Sequence, residues 1–220
     1  MDNHDQKTRI AGSHKKDHVK NTNKVRNSAI STVRPFISIL MRSYAYGWMR
    51  YCIICVGKIP SGRVRNWFYR HIFLMKITKK TVIFGGCEIR SPWNIKADNC
   101  IISTYCILDG RSGIEIGDNV VFSSGVHIWT EEHNVDSESF AVLPENRLPV
   151  IIGDRAWICS DSTILSGVTI GDGAVVASRS CMTKDADPYG VYGGIPARKI
   201  KERNHNLTYV LSGKPAWHFF

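Results

Sequence analysis

The sharpest chemical feature of this 220-residue chain is His133, in the stretch WTEEHNVDS. Glu131, Glu132 and Asp136 lie close to it in sequence. An imidazole accepts a proton near neutral pH, and a neighbouring carboxylate can decide which ring nitrogen is free to do so. That is what an alcohol, a poor nucleophile, needs when it attacks an activated acyl group. A loop histidine read alone is as readily a solvated side chain. His127 alternates outward beside inward-facing Ile128, where it either lines the same groove or is an incidental surface group. The two histidines also suggest a metal site. No third histidine lies between residues 76 and 187, however, so no metal is expected.

The scaffold that must hold such a group is written most plainly after it. In 152–187, Ile152, Ile158, Ile164, Ile170, Val176 and Met182 recur every sixth residue. The position four further on carries Ala156, Ser162, Val168, Ala174 and Ser180. A helix repeats its buried face every 3.6 residues and a strand every 2, so neither gives a period of six. A solenoid of short parallel strands does, with a tight turn between sides. Gly153 and Gly171 are expected in those turns. An earlier run, Ile77, Ile83, Ile89, Ile95, Ile101 and Ile107, keeps the same beat, although Trp93 and Tyr105 stand where small residues are expected. LDGRSG shifts the phase by three, which predicts a bulge over Asp109–Gly113, and Ile116, Phe122 and Ile128 then resume it. Residues 129–151, charged and holding Pro144 and Pro149, are expected to leave the coil as a loop. The exit segment PYGVYGGIPARKIKER is expected to end in a short helix, and the tail after it to pack.

These motifs resemble the hexapeptide-repeat acyltransferases over residues 77–203. The resemblance implies an all-β solenoid, the left-handed parallel β-helix with three flat sides and about eighteen residues per coil. The hand comes from the resemblance alone, since the usual crossover rule favours the opposite one. In that family a histidine in a T-x-x-H context opens the loop and is catalytic, which falls here on His133. WICS ends in Ser160, where relatives place a residue near the thioester and its oxyanion. VVASRSCMTKD resembles the family's VVGAGSVVTKD, which puts Ser178, Thr183 and Lys184 along the pantetheine and phosphate groove of acetyl coenzyme A. GGIPARKIKE resembles the GxPAKxI ending, so Arg198 and Lys201 match positions that meet coenzyme A phosphates. Fixed cations are what a polyanionic cosubstrate requires.

Two departures bear on substrate. ASR replaces GAG, so Ser178 and Arg179 stand where small residues usually run close to the cofactor. The asparagine that helps galactoside enzymes hold sugar has no counterpart; STYCILDG offers Ser103, Tyr105 and Asp109 instead, and Tyr105, Asp109 and His127 are weak acceptor-contact candidates. The activity implied is transfer of an acetyl group from acetyl coenzyme A to a sugar hydroxyl of a capsule, O-antigen or exopolysaccharide, in a homotrimer with sites between subunits and no metal. Three alternatives stand beside it. One is an acetyltransferase of an antibiotic or other small hydroxyl or amine. Another is a non-catalytic structural or binding solenoid. The third is a gamma-class carbonic anhydrase, which would need a third histidine.

Charge divides the chain unevenly: the formal net charge of +10 splits as +14 over residues 1–80 and −4 over 81–220. Residues 1–30 form a basic leader expected to be disordered. It interleaves no aromatics for base stacking, so no nucleic-acid partner is expected. Residues 31–75 read as helical: Pro35 opens a helix ending near Gly57 and Pro60, and Ser61 caps a second. Trp67, Phe68 and Ile72 form an apolar stripe there, with Arg63, Arg65 and Arg70 around it. This segment either covers the open end of the first coil or lies on an anionic membrane surface. The β-helix follows over 76–187, and 188–220 is a C-terminal extension. The seven cysteines, including Cys52 and Cys55 in CIIC, complete no zinc motif and read as thiols buried among apolar residues. With no secretory signal or spanning segment read in it, the chain is expected to be cytoplasmic, with the inner face of the membrane as the other site.

Overall fold

In the computed structural model, which describes residues 38–212, seventeen short strands build three sheets. The first coil contributes β1 (Lys76–Ile77), β2 (Val82–Ile83) and β3 (Glu88–Arg90), one to each sheet. The second contributes β4 (Ile95–Ala97), β5 (Ile101–Ile102) and β6 (Ile107–Asp109), and the third β7 (Ile114–Ile116), β8 (Val121–Phe122) and β9 (His127–Ile128). After an arm come β10 (Val150–Ile152), β11 (Trp157–Ile158) and β12 (Thr163–Ile164), then β13 (Thr169–Ile170), β14 (Val175–Val176) and β15 (Cys181–Met182). Sheet A runs β1-β4-β7-β10-β13 and sheet C runs β15-β12-β9-β6-β3. Sheet B stacks β2, β5, β8, β11 and β14, all parallel. A bridge from Ile170 to Ala186 starts a sixth turn. The architecture is the left-handed parallel β-helix.

Register explains the six-residue beat. Three apolar ladders run up the inside: Ile77, Ala97, Ile116, Ile152, Ile170; Ile83, Ile102, Phe122, Ile158, Val176; and Ile89, Leu108, Ile128, Ile164, Met182. All fifteen are buried. Burying such rows is the main favourable term in folding a solenoid, because each coil covers only its neighbours. Two expectations are corrected. Ile101 and Ile107 do not face inward; Ile102 and Leu108 do. The cause is a corner at Ser91–Asn94, a short 3-10 turn, which lengthens the first coil and moves the phase before Asp109–Gly113 moves it again. With the register corrected, the small inward positions are held by Cys87, Cys100 and Cys106, all buried, and not by Trp93 and Tyr105.

Corners are turned by residues in the left-handed region. Between sheets B and C these are Gly86, Tyr105, Gly125, Asp161 and Arg179; between A and B they are Asn99, Asn119, Arg155, Gly173 and Tyr189. Gly153 is small for a different reason: a Cβ there would run into Asp172 of the next coil, whose carboxylate accepts from the Asp154 amide at 2.8 Å.

The chain divides into two compact units, Met1–Met49 and Arg50–Phe220. A helix, α1, covers 38–57, and α2 spans Gly62–His71. Pro35 and the leader 1–30 lie outside the described residues, as do 213–220. Ser61 precedes α2 in extended backbone, but its hydroxyl makes no capping bond. The face of α2 turned to the first coil carries Arg65 and Tyr69, not Trp67 and Ile72, which are exposed. Arg65 donates to the carbonyls of Ile83 (3.0 Å), Pro60 (3.1 Å) and Ile59, and Asn66 donates to Thr81 O at 2.6 Å. The bonds to Thr81 and Ile83 satisfy coil-end carbonyls that would otherwise be left open, and those to Ile59 and Pro60 fasten the turn between the two helices. Cys52 and Cys55 are exposed, contrary to the expectation of burial.

At the other end, the expected short helix is absent. Residues 188–202 instead form a hairpin of β16 (Gly190–Gly194) and β17 (Ala197–Glu202), antiparallel to each other, with β16 extending sheet B from β14. Val191 and Tyr192 are strand formers, and the hairpin gives the end of the sheet a partner that a helix would not. Of the tail expected to pack, 213–220 lie outside the described residues, and 204–212 are held to the coils by polar bonds, with Val210 exposed. Arg203 donates to Arg155 O and Gly173 O, Tyr209 Oη to Arg155 O, and the Leu211 amide to Asn119 Oδ1.

Candidate active site

The arm leaves sheet C after β9 and returns to sheet A at β10, so it springs from the C–A corner of the third coil. Its root is polar and buried. Thr130, wholly buried, donates its hydroxyl to Asp109 O at 2.7 Å and accepts from the Ser112 amide at 3.0 Å. Glu131 meets Arg111 at 2.9 Å and Arg147 at 3.9 Å, and it also pairs with Arg147 through a β-bridge. Glu132 accepts from the Ser166 amide at 3.2 Å, and Ser166 Oγ donates to Thr130 O at 3.1 Å. Both ends of the arm are thus stitched to the corners above and below.

His133 follows directly. It is exposed, its ring stacks on Phe140 with centroids 4.4 Å apart, and Nδ1 lies 2.7 Å from Phe140 O. A carbonyl can only accept, so Nδ1 is the donor, and in the neutral ring the lone pair is on Nε2. The main chain sets the tautomer, which was expected of Glu131, Glu132 or Asp136. The two glutamates are engaged at the root of the arm, and the Asp136 amide is turned onto Asn134 Oδ1.

The other candidates fall into two groups. Ser160 and Ser178 occupy the same position of successive coils at the B–C corner, where the Arg179 amide donates to Ser160 O at 3.0 Å. The hairpin joins that corner: the Gly194 amide donates to Ser180 Oγ at 3.1 Å, and Arg198 pairs with Gly193. Arg198 and Lys201 are exposed and, among the described residues, form no ion pair, whereas Lys199 between them is held by Asp187 and Glu202. Arg179, in the family's usual glycine position, adopts φ 56° and is 3.9 Å from Asp161. Thr183 and Lys184, both exposed, sit at the C–A corner of the last full coil, on the same edge of sheet C as the arm. A single chain therefore places Ser160, Ser178 and Arg198 along one edge of sheet C, and His133, Thr183 and Lys184 along the other.

Between these edges, the outward row of sheet C holds Ile107, His127, Thr163 and Cys181 in register. His127 is half-buried, 6.3 Å from the Trp129 ring. Tyr105 is exposed at the B–C corner of the second coil. Asp109 is not available as an acceptor contact: it is wholly buried and its carboxylate is taken by Arg111 at 2.6 and 2.8 Å. Sequence reasoning missed Thr130, Arg111, Arg147, Ser166 and Phe140. The phase break at DGRSG signals Arg111; nothing in the sequence singles out a carbonyl such as that of Phe140.

A family model of bacterial transferase hexapeptide, six repeats, matches residues 149–184. The chain is 34% identical over 137 residues to WcaF of Escherichia coli strain K12, named as a colanic acid biosynthesis acetyltransferase, across 62% of this chain and 74% of that protein. It is 31% identical over 125 residues to a chloramphenicol acetyltransferase of Agrobacterium fabrum, across 55% of this chain and 60% of that one. Among solved structures, a hexapeptide-repeat acetyltransferase of Vibrio cholerae in complex with acetyl coenzyme A superposes with a TM-score of 0.66 at 23% identity, over 73% of this chain and 88% of that chain. That last likeness is one of fold.

Proposed function

This chain belongs to the hexapeptide-repeat acetyltransferases, which use acetyl coenzyme A, and from that premise we propose that it acetylates a sugar hydroxyl of a cell-surface polysaccharide with His133 as general base. The observation that carries the reading is the Phe140 carbonyl on Nδ1, which in the neutral ring puts the lone pair on Nε2 of an exposed side chain at the edge of the prism. The acceptor hydroxyl gives its proton to Nε2 as its oxygen bonds to the thioester carbonyl carbon. Backbone amides, with Ser160, stabilise the tetrahedral oxyanion. Its collapse breaks the carbon–sulfur bond, and the departing coenzyme thiolate takes the proton back from Nε2. Ser178, Thr183, Lys184, Arg198 and Lys201 are proposed to hold the pantetheine arm and phosphates, exposed cations being suited to a polyanion.

The two edges of sheet C give a physical reason for a trimer. The Ser160 and Ser178 edge of one copy and the His133 edge of the next meet if neighbouring prisms pack side by side, and each site is then completed by a second subunit. A sugar acceptor is preferred because the likeness to WcaF spans 74% of that protein. The likeness to the chloramphenicol enzyme keeps an antibiotic acceptor as the second reading. Release of coenzyme A thiol from acetyl coenzyme A, followed with oligosaccharide repeat units and with chloramphenicol, separates the two. Turnover with chloramphenicol alone selects the second reading. No turnover with any hydroxylated acceptor removes both.

A further inference from the structure

We propose that the outer face of α2 and the turn after it form a docking surface for a bilayer rich in anionic phospholipid. The inward face of this helix is spent on the coil through Arg65 and Tyr69. What it turns outward is apolar: Val64 is 42% exposed, Trp67 52%, Ile72 54% and Leu74 65%. Val64, Trp67 and His71 recur at spacings of three and four, so they share one face. The Trp67 ring lies edge-on to Phe68 at 5.1 Å and 5.5 Å from His71. Arg63 and Arg70, seven residues apart, form the adjoining row, and among the described residues neither is ion-paired. Lys58, Lys76, Lys79 and Lys80 are exposed on the same capped end of the solenoid and are likewise unpaired among the described residues.

Charge decides the occupant. From His18 through Cys87 the sequence holds no aspartate or glutamate; of the carboxylates that follow, Glu88 is paired with Arg50 and Arg90 and Asp98 accepts from the Thr78 hydroxyl, so the balance of charge on this surface is cationic. Two such faces pressed together would repel. A bilayer of anionic lipid satisfies both halves of the surface: tryptophan and aliphatic tips enter the headgroup boundary while arginines and lysines meet phosphates. Among the described residues no helix is long and apolar enough to cross a membrane, so the contact lies on the surface.

The test is sedimentation of the full chain with phosphatidylglycerol–phosphatidylcholine vesicles and with phosphatidylcholine vesicles. Wild type should partition onto the first, not the second, and leave them at high salt. Trp67→Ser and the pair Arg63→Gln/Arg70→Gln should each lower the partition coefficient about tenfold or more, with acetyl-transfer rates in solution unchanged, because no residue of the proposed site is touched. The proposal is overturned if wild type stays in the supernatant with phosphatidylglycerol vesicles, or if both variants bind as wild type does. It is equally overturned if the variants change only the oligomeric state seen by light scattering, which would make a second copy the occupant. Displacement from vesicles by inorganic phosphate at equal ionic strength would reassign the surface to a free anion and also overturn it. Acetyl transfer is read separately, so either conclusion can fail without the other.

Discussion

Ile158 and His133 are held in opposite ways. Ile158 is wholly buried in a ladder with Phe122 below and Val176 above, and each neighbour repeats the same contact. His133 is exposed on an arm fastened through Thr130, the Arg111–Glu131–Arg147 ion pairs and Ser166. The prism thus takes its stability from a redundant apolar stack, and the arm takes its position from a few polar anchors that nothing duplicates. Chemistry can change on the arm with little cost to the fold, while a defect in the stack is felt throughout.

Four substitutions or conditions sharpen that contrast. His133→Ala should lower acetyl transfer by about 10²–10⁴-fold, while chemical denaturation moves by no more than about 0.5 kcal/mol; an equal fall in stability would mean that the arm is part of the core. Ile158→Ala should do the reverse, costing about 2–5 kcal/mol in urea unfolding with kcat for the surviving folded enzyme little changed. Thr130→Val lies between. It strips Asp109 O and the Ser112 amide of their partner, at about 1–3 kcal/mol, and should lower kcat more than it raises KM for acetyl coenzyme A because His133 loses its footing. The mildest is alkaline pH. Burial pushes the Cys100 thiol up to about 12 and raises the Tyr69 phenol above its ordinary value. Both stay neutral when folded and ionise when unfolded, so their contribution is intact below the ordinary thiol range. It is lost as pH climbs toward the folded values, at about 1.4 kcal/mol per pH unit per group. Flat stability between neutral pH and pH ~10 would contradict their burial.

The later coils were legible because their period is unbroken: eighteen residues separate Ile152 from Ile170 and Ile158 from Val176, and the sequence repeats as the geometry does. The second coil misled by one residue. Isoleucine stands at both 101 and 102, and composition cannot tell which faces in; the corner at Ser91–Asn94 decides, and its length is a backbone property. The terminal hairpin was misread as a helix because ARKIKE has good helix formers, yet an open sheet edge beside it outweighs propensity. Of the site, His133 was visible through its motif. Its partner was not, since a main-chain carbonyl belongs to every residue and only folding selects Phe140. Asp109 looked available as a carboxylate near a break in the repeat, but the same break brings Arg111 onto it.

Finally, the segment after β17 runs back along the A–B corner. It bonds first to Gly173 and Arg155 and ends on Asn119, whose amide oxygen also accepts from Asn99 at 2.9 Å. A stack of coils with free ends can unzip from either one, a turn at a time. A seam sewn across three successive turns forbids that at the far end: the last turn cannot peel away until the stitches to the middle ones let go. The final turns should therefore exchange their amide hydrogens together rather than in sequence, which keeps both edges of sheet C, the one carrying Ser178 and the one carrying Lys184, in one shape during thermal fluctuation.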